Sequence, residues 1–87
     1  MYLHLGQNTT VNEKDIIGIF DLDTSTVKKQ TMEFLTAAEK EKKVVTISED
    51  LPKSFVLCRK SDVTKIFISP LATTTLIKRH ENWQLNF

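Results

Sequence analysis

The stretch Asp15–Lys43, DIIGIFDLDTSTVKKQTMEFLTAAEKEKK, changes the period of its apolar residues partway along, and that change decides the fold class. Its opening, DIIGIFDL, is rich in β-branched and aromatic residues with apolar groups on both faces, which predicts a strand in the centre of a sheet. Gly18 inside it predicts a bulge or a close approach by another chain. From Asp23 onward the period is helical. Val27, Thr31, Phe34, Leu35 and Ala38 fall at i, i+4, i+7, i+8 and i+11, one face of a long helix. Thr24 to Thr26 offer N-caps, Asp23 suits the positive end of the helix dipole, and Lys40, Lys42 and Lys43 suit the negative end.

Towards the N-terminus, YLHL (residues 2–5) sets His4 against Leu3 and Leu5, Gly6-Gln7-Asn8 supplies a turn, and TTV is the returning strand of a hairpin. On the other side, VVTIS, SFVLCR and KIFIS read as three short strands, the latter two pairing as a hairpin. SPLATTTLIKRH begins a second helix, with Ser69 as N-cap and Pro70 at the first helical position, where a missing N–H costs nothing. ENWQLNF, residues 81–87, reads as a tail carrying Trp83 and Phe87 after a single domain of residues 1–80. The predicted order is β-β-β-α-β-β-β-α, an α+β domain with a mostly antiparallel sheet, one long helix and a C-terminal helix.

A chain of 87 residues and 10.0 kDa buries a small share of its surface, so its core is expected to be thin. Cys58 is the single cysteine, which excludes an intramolecular disulfide, and no cluster of cysteines and histidines offers a metal staple. Self-association is then the expected way to bury more apolar area. No apolar run approaches the ~20 residues of a membrane span, and MYLHLGQNTT has neither the charged start nor the apolar middle of a secretion signal, so the expected location is the cytoplasm. The formal charge of +1 conceals a division: residues 1–50 hold six lysines against nine acids, net −3, and residues 51–87 hold six Lys and Arg against two acids, net +4. A segregated basic field points to an anionic partner, against the plainer reading of chance clustering in a short chain.

Catalysis finds little support, since neither His4 nor His80 stands beside an evident nucleophile. His4 reads as a surface or interface residue, His80 as a cation at a helix end, and Cys58 as a small buried hydrophobe. Asp21 with Asp23, and Glu49 with Asp50, supply too few oxygens for a divalent cation site and fit turn and cap roles. No glycine loop cradles a phosphate, so nucleotide hydrolysis drops out, and no cofactor is expected. What remains is the basic set Lys14, Lys53, Arg59, Lys60, Lys65, Lys78 and Arg79, each a solvated charge unless several share a face and release counterions from a polyanion together. Lys53 stands out, with Pro52 restricting the backbone ahead of it and a strand rooting it behind.

Four blocks, MYLHLG, DIIGIFDL, PKSFVL and ISPLATTTLIKR, together resemble the RemA/RemB family of extracellular-matrix and biofilm regulators, the RemB-like branch in particular, over residues 1 to about 80. The resemblance implies a DNA-binding transcriptional regulator without enzymatic activity, a LytTR-like protomer, and a closed homo-oligomeric ring around whose outside double-stranded DNA wraps. Members of this family carry arginines just before the third strand and in the turn before the SFVL-type strand. Here Lys14, between Glu13 and Asp15, stands at the first place, and Pro52-Lys53-Ser54 at the second. Lysine lacks the planar fork that pairs two oxygens. The implied DNA-binding residues are Lys14 and Lys53, with Ser54 and Arg59 in support. Ser54 serves either as a phosphate donor or as a strand start. Lys78 and Arg79 match the basic end of the last helix, first as dipole and interface stabilisers and second as DNA contacts. The alternative is a ring-forming accessory subunit without effective DNA binding, mixing with a RemA-like paralogue.

Overall fold

A computed structural model describes residues 1–22 and 29–84, with side chains through His80. The expected N-caps Thr24 to Thr26, together with Asp23, Val27 and Phe87, lie outside the described residues, as does the Trp83 side chain. Strands β1 (Tyr2–Gly6) and β2 (Thr9–Asn12) form an antiparallel hairpin. A short 3-10 turn, Glu13–Asp15, leads into β3 (Ile16–Asp21). Then follow α1 (Lys29–Lys40), β4 (Val44–Thr46), β5 (Ser54–Lys60), β6 (Val63–Ser69) and α2 (Thr73–Gln84). The predicted order of elements and the α+β class are therefore observed. Strands β3 to β6 make a four-stranded sheet in the order β3-β5-β6-β4, antiparallel except for the β4–β6 pair.

The side-chain alternation of β5 explains the two-sided core. Val56 and Cys58 face the hairpin and α2, where they pack with Leu3, Leu5, Val11 and Leu76. Phe55 and Leu57 face the other way, onto Ala38 and Leu35 of α1 and onto Ile66 and Ile68 of β6. Strands β5 and β6 are thus the centre of the sheet, and β3 is an edge strand rather than the central one its composition predicts. Its apolar residues on both faces reflect layers on both sides of the sheet, not neighbours on both edges, and Ile17 remains exposed. The β3–β5 register does shift between Ile16 and Gly18, as a bulge at Gly18 requires. The Phe20 ring folds back over Gly18 and stacks on Phe55 at a centroid distance of 4.8 Å. A Cβ on Gly18 would lie 2.7 Å from that ring.

Each turn has its own backbone solution. Ser61 and Asp62 both adopt positive φ, 50° and 66°, which is the two-residue turn whose twist matches the flanking strands β5 and β6. Helix α1 ends on Lys42 at φ 60°. The Lys43 and Lys42 N–H groups donate back to the carbonyls of Ala38 and Glu39, satisfying acceptors that the helix end would otherwise leave bare. Phe34 is a correction: it is 46% exposed, and the packed face of α1 consists of Leu35 and Ala38.

The start of α2 is a second correction. Ser69 belongs to β6, Pro70 lies in the connection, and the helix begins at Thr73. Ser69 is instead fully buried, its hydroxyl donating to Leu5 O (2.6 Å) and accepting from Leu71 N–H (3.0 Å). The side chain that local pattern assigns to a helix cap ties the hairpin to the sheet. At the other end, α2 continues through Gln84, so it takes in residues 81–84 of the segment read as a tail.

Candidate nucleic-acid interface

The described cations fall at separate places on the fold. Lys53 lies just ahead of β5, with its side chain exposed. Its own N–H donates to Ser69 O (2.9 Å) and its carbonyl accepts from Leu22 N–H (2.8 Å), so both sides of its backbone are tied to neighbouring segments. The rigid root expected from Pro52 and β5 is therefore supplied by these two backbone bonds. Lys14 occupies the turn before β3, exposed, at the opposite end of the sheet, because Ile16 pairs with Cys58 whereas Asp21 pairs with Ser54. Lys60 and Lys65 lie at the Lys14 end, on the same face as Cys58. Lys78 is exposed on α2.

Three of the sequence-derived residues hold intrachain partners, one of them buried and two exposed. Ser54 is fully buried, and its hydroxyl donates to Leu71 O (2.8 Å). It anchors the α2 connection and is withdrawn from any surface phosphate, so of its two readings the strand start stands. The Arg59 guanidinium pairs with Asp62 across the β5–β6 turn at 3.2 Å. Both groups are exposed, so this pair tethers the arginine without adding much stability. Arg79 donates to His4 O (3.0 Å) and approaches His4 Nδ1 (3.4 Å), joining α2 to β1. His4 Nε2 lies 2.6 Å from Gln7 O. A carbonyl only accepts, so the proton sits on Nε2, and in the neutral ring Nδ1 is the acceptor facing Arg79.

His80 is not at a helix end. It sits inside α2, where Nδ1 meets Glu13 Oε1 at 3.1 Å. The Glu13 side chain is only 6% exposed. This pair links the turn before β3 to α2, a long-range contact with no local signal in the sequence. Glu13, read as one of two acids flanking Lys14, is thereby turned inward.

Cys58 behaves as the buried hydrophobe its setting in SFVLCR predicts. Burial, with a smaller contribution from the nearby Asp15 carboxylate, pushes its thiol from an ordinary value of 9.0 up to about 11. The folded state thus holds the proton over a window in which the unfolded chain has lost it. The associated stability is intact below about pH 9 and is lost as pH rises toward 11. At pH 8 the native thiol should react with a disulfide reagent far more slowly than in urea. Equal rates would show that Cys58 is accessible as thiolate in the folded chain.

Among the described residues no helix is long and apolar enough to cross a membrane, and no three His, Cys, Asp or Glu side chains converge as a metal site would require. The fold and surface define a small α+β domain with exposed lysines at both ends of its sheet, Lys53 rooted by two backbone bonds at one end and Lys14, Lys60 and Lys65 at the other. Over residues 2–80 the chain matches the family described as extracellular matrix regulatory protein A-like. It is 39% identical over 79 residues to extracellular matrix regulatory protein B of Bacillus subtilis (strain 168), covering 91% of this chain and 89% of that protein. The chain belongs to the RemA-like family of extracellular matrix regulators, and its likeness to the B protein agrees with the RemB-like branch.

Proposed function

We propose that this chain is a cytoplasmic, DNA-binding transcriptional regulator without enzymatic activity. It contacts the phosphate backbone of double-stranded DNA through exposed lysines repeated around a homo-oligomeric, LytTR-like ring. The observation that carries the reading is Lys53: an exposed ammonium whose backbone is fixed on both sides, at the place where the family resemblance puts a basic turn. Lys14 and Lys78 are exposed as well, with no intrachain ion pair among the described residues. Lysines carry point charge and little base-edge information, so recognition rests on phosphate charge and DNA shape. Few phosphate contacts per protomer suffice only when a symmetric assembly repeats them.

The test is affinity for long duplex DNA across a salt series, for the native chain and Lys53→Ala. The native chain should bind with a steep salt dependence. The variant should bind all sequences more weakly, with the log–log slope shallower by roughly 0.9 for each phosphate that it no longer neutralises. Unchanged affinity and slope would remove Lys53 from the interface.

A second reading, an accessory ring subunit without effective DNA binding, is favoured by one specific finding. Ser54 is buried, and the exposed Arg59 and Arg79 each hold an intrachain partner, which leaves lysines as the exposed cations without one among the described residues. Co-purification with a RemA-like paralogue, together with no retention on DNA at low salt, would select it.

A further inference from the structure

Lys14 and Lys53 stand at opposite ends of the sheet, and two uncovered apolar features are divided the same way. Between the β1–β2 hairpin and the β5–β6 turn lies a groove of about 490 Å³, with Val11 and Phe67 in its floor and Tyr2, Val63, Lys60 and Lys65 around it. The β5–β6 register places Lys60, Val63 and Lys65 on one face, since Lys60 pairs with Val63 and Cys58 with Lys65. Among the described residues Asp15 is the one acid lining it. Tyr2 and Val63 are 71% and 57% exposed.

At the far end, the loop between β4 and β5 carries Leu51, 75% exposed, directly after Glu49 and Asp50. The loop is not slack: Asp50 N–H donates to Ser48 Oγ (3.0 Å) and Lys53 N–H to Ser69 O (2.9 Å). An isobutyl group held out next to two carboxylates is complementary to an apolar floor flanked by two ammonium groups. None of these four charges is ion-paired within the described chain, although Arg59, Asp62, Lys43 and Glu41 nearby in sequence all are.

We propose that the Glu49–Leu51 loop of one copy of this chain docks in the groove of the next, with Leu51 over Val11 and Phe67 and the two carboxylates against Lys60 and Lys65. This rests on the self-assembly in the proposed function and specifies its contact. The two patches differ: β6 lines the groove with Val63, Lys65 and Phe67, whereas Lys53, two residues after Leu51, is bonded to Ser69 at the other end of that strand. The contact is therefore head-to-tail, and repetition closes a ring or extends a filament. It also solves a problem left by the single protomer. Lys53, two residues beyond Leu51, comes beside the Lys14 end of its neighbour, which joins cations that one protomer keeps apart.

The test uses Leu51→Asp and Val63→Asp, both at exposed positions, with circular dichroism to show that each folds and sedimentation to give mass. The native chain should be an oligomer and each variant alone a monomer. Their mixture should stop at a one-to-one dimer, because it holds one intact loop and one intact groove. A Lys60→Glu/Lys65→Glu chain should self-associate at least about tenfold more weakly, and Glu49→Lys/Asp50→Lys chains should restore its binding. A native oligomer whose mass neither Asp variant changes would overturn this contact while leaving self-assembly standing. A native chain that stays monomeric would overturn both.

Discussion

Replacing Ser69 with alanine should lower the unfolding free energy by about 2–4 kcal/mol, because it strands the buried Leu5 carbonyl at about 1–3 kcal/mol and the part-buried Leu71 N–H at about 1 kcal/mol. The hydroxyl is fully buried and serves Leu5 O and Leu71 N–H together. The bond to Leu5 O is buried, so solvent cannot take it over. For a domain of this size the whole stability is about 4–13 kcal/mol, so the loss is a large share of it. Urea unfolding followed by circular dichroism should show a lower midpoint with an unchanged slope. Ser54→Ala, which removes one bond to Leu71 O, should cost less, about 1–2 kcal/mol. A Ser69→Ala loss no larger than that of Ser54→Ala would show that the hairpin is held by apolar packing alone.

Leu76→Ala should cost about 2–5 kcal/mol, the range for emptying a leucine-sized space in a packed core. Leu76 is fully buried against Leu3, Leu5, Val11, Val56 and Cys58. The rest of the described helix offers little to replace it: Ile77, Lys78 and Arg79 are exposed, and Thr73 to Thr75 are poor helix formers. Among the described side chains, Leu76 is the one fully buried residue of the helix, with Arg79–His4 and His80–Glu13 at its flank. Amide exchange in α2 should accelerate more than exchange in β5 and β6. Equal acceleration everywhere would mean that α2 and the sheet open as one unit.

Element type was legible wherever a local period was long enough to speak. The alternation in YLHL, the helical spacing from Thr31 to Ala38 and the two apolar runs around Ser61-Asp62 each led to the observed element. Reading failed where the deciding partner is distant in sequence. Ser69-Pro70 has the local form of a helix start, yet Leu5, 64 residues away, claims the serine hydroxyl. For Ser54 the sequence left two roles open, phosphate donor or strand start, and only its buried bond to Leu71 O distinguishes them. DIIGIFDL reads as central because composition reports burial on both faces but not the number of paired edges. Glu13 and His80 pair across 67 residues, and nothing local to either predicts it.

Residue type and short-range spacing were enough for the order of elements, the α+β class, the burial of Cys58 and membership of the RemA-like family. Each of these was legible from stretches of a few residues, before any long-range pairing was considered. Which strand is central, which hydroxyls are structural and which cations face outward emerged only from the folded chain. Those outcomes follow from pairings such as Ser54 with Ser69 and Val44 with Ile66. Strand pairing brings distant residues together through backbone bonds that every residue but proline can make, so side-chain identity alone does not specify it.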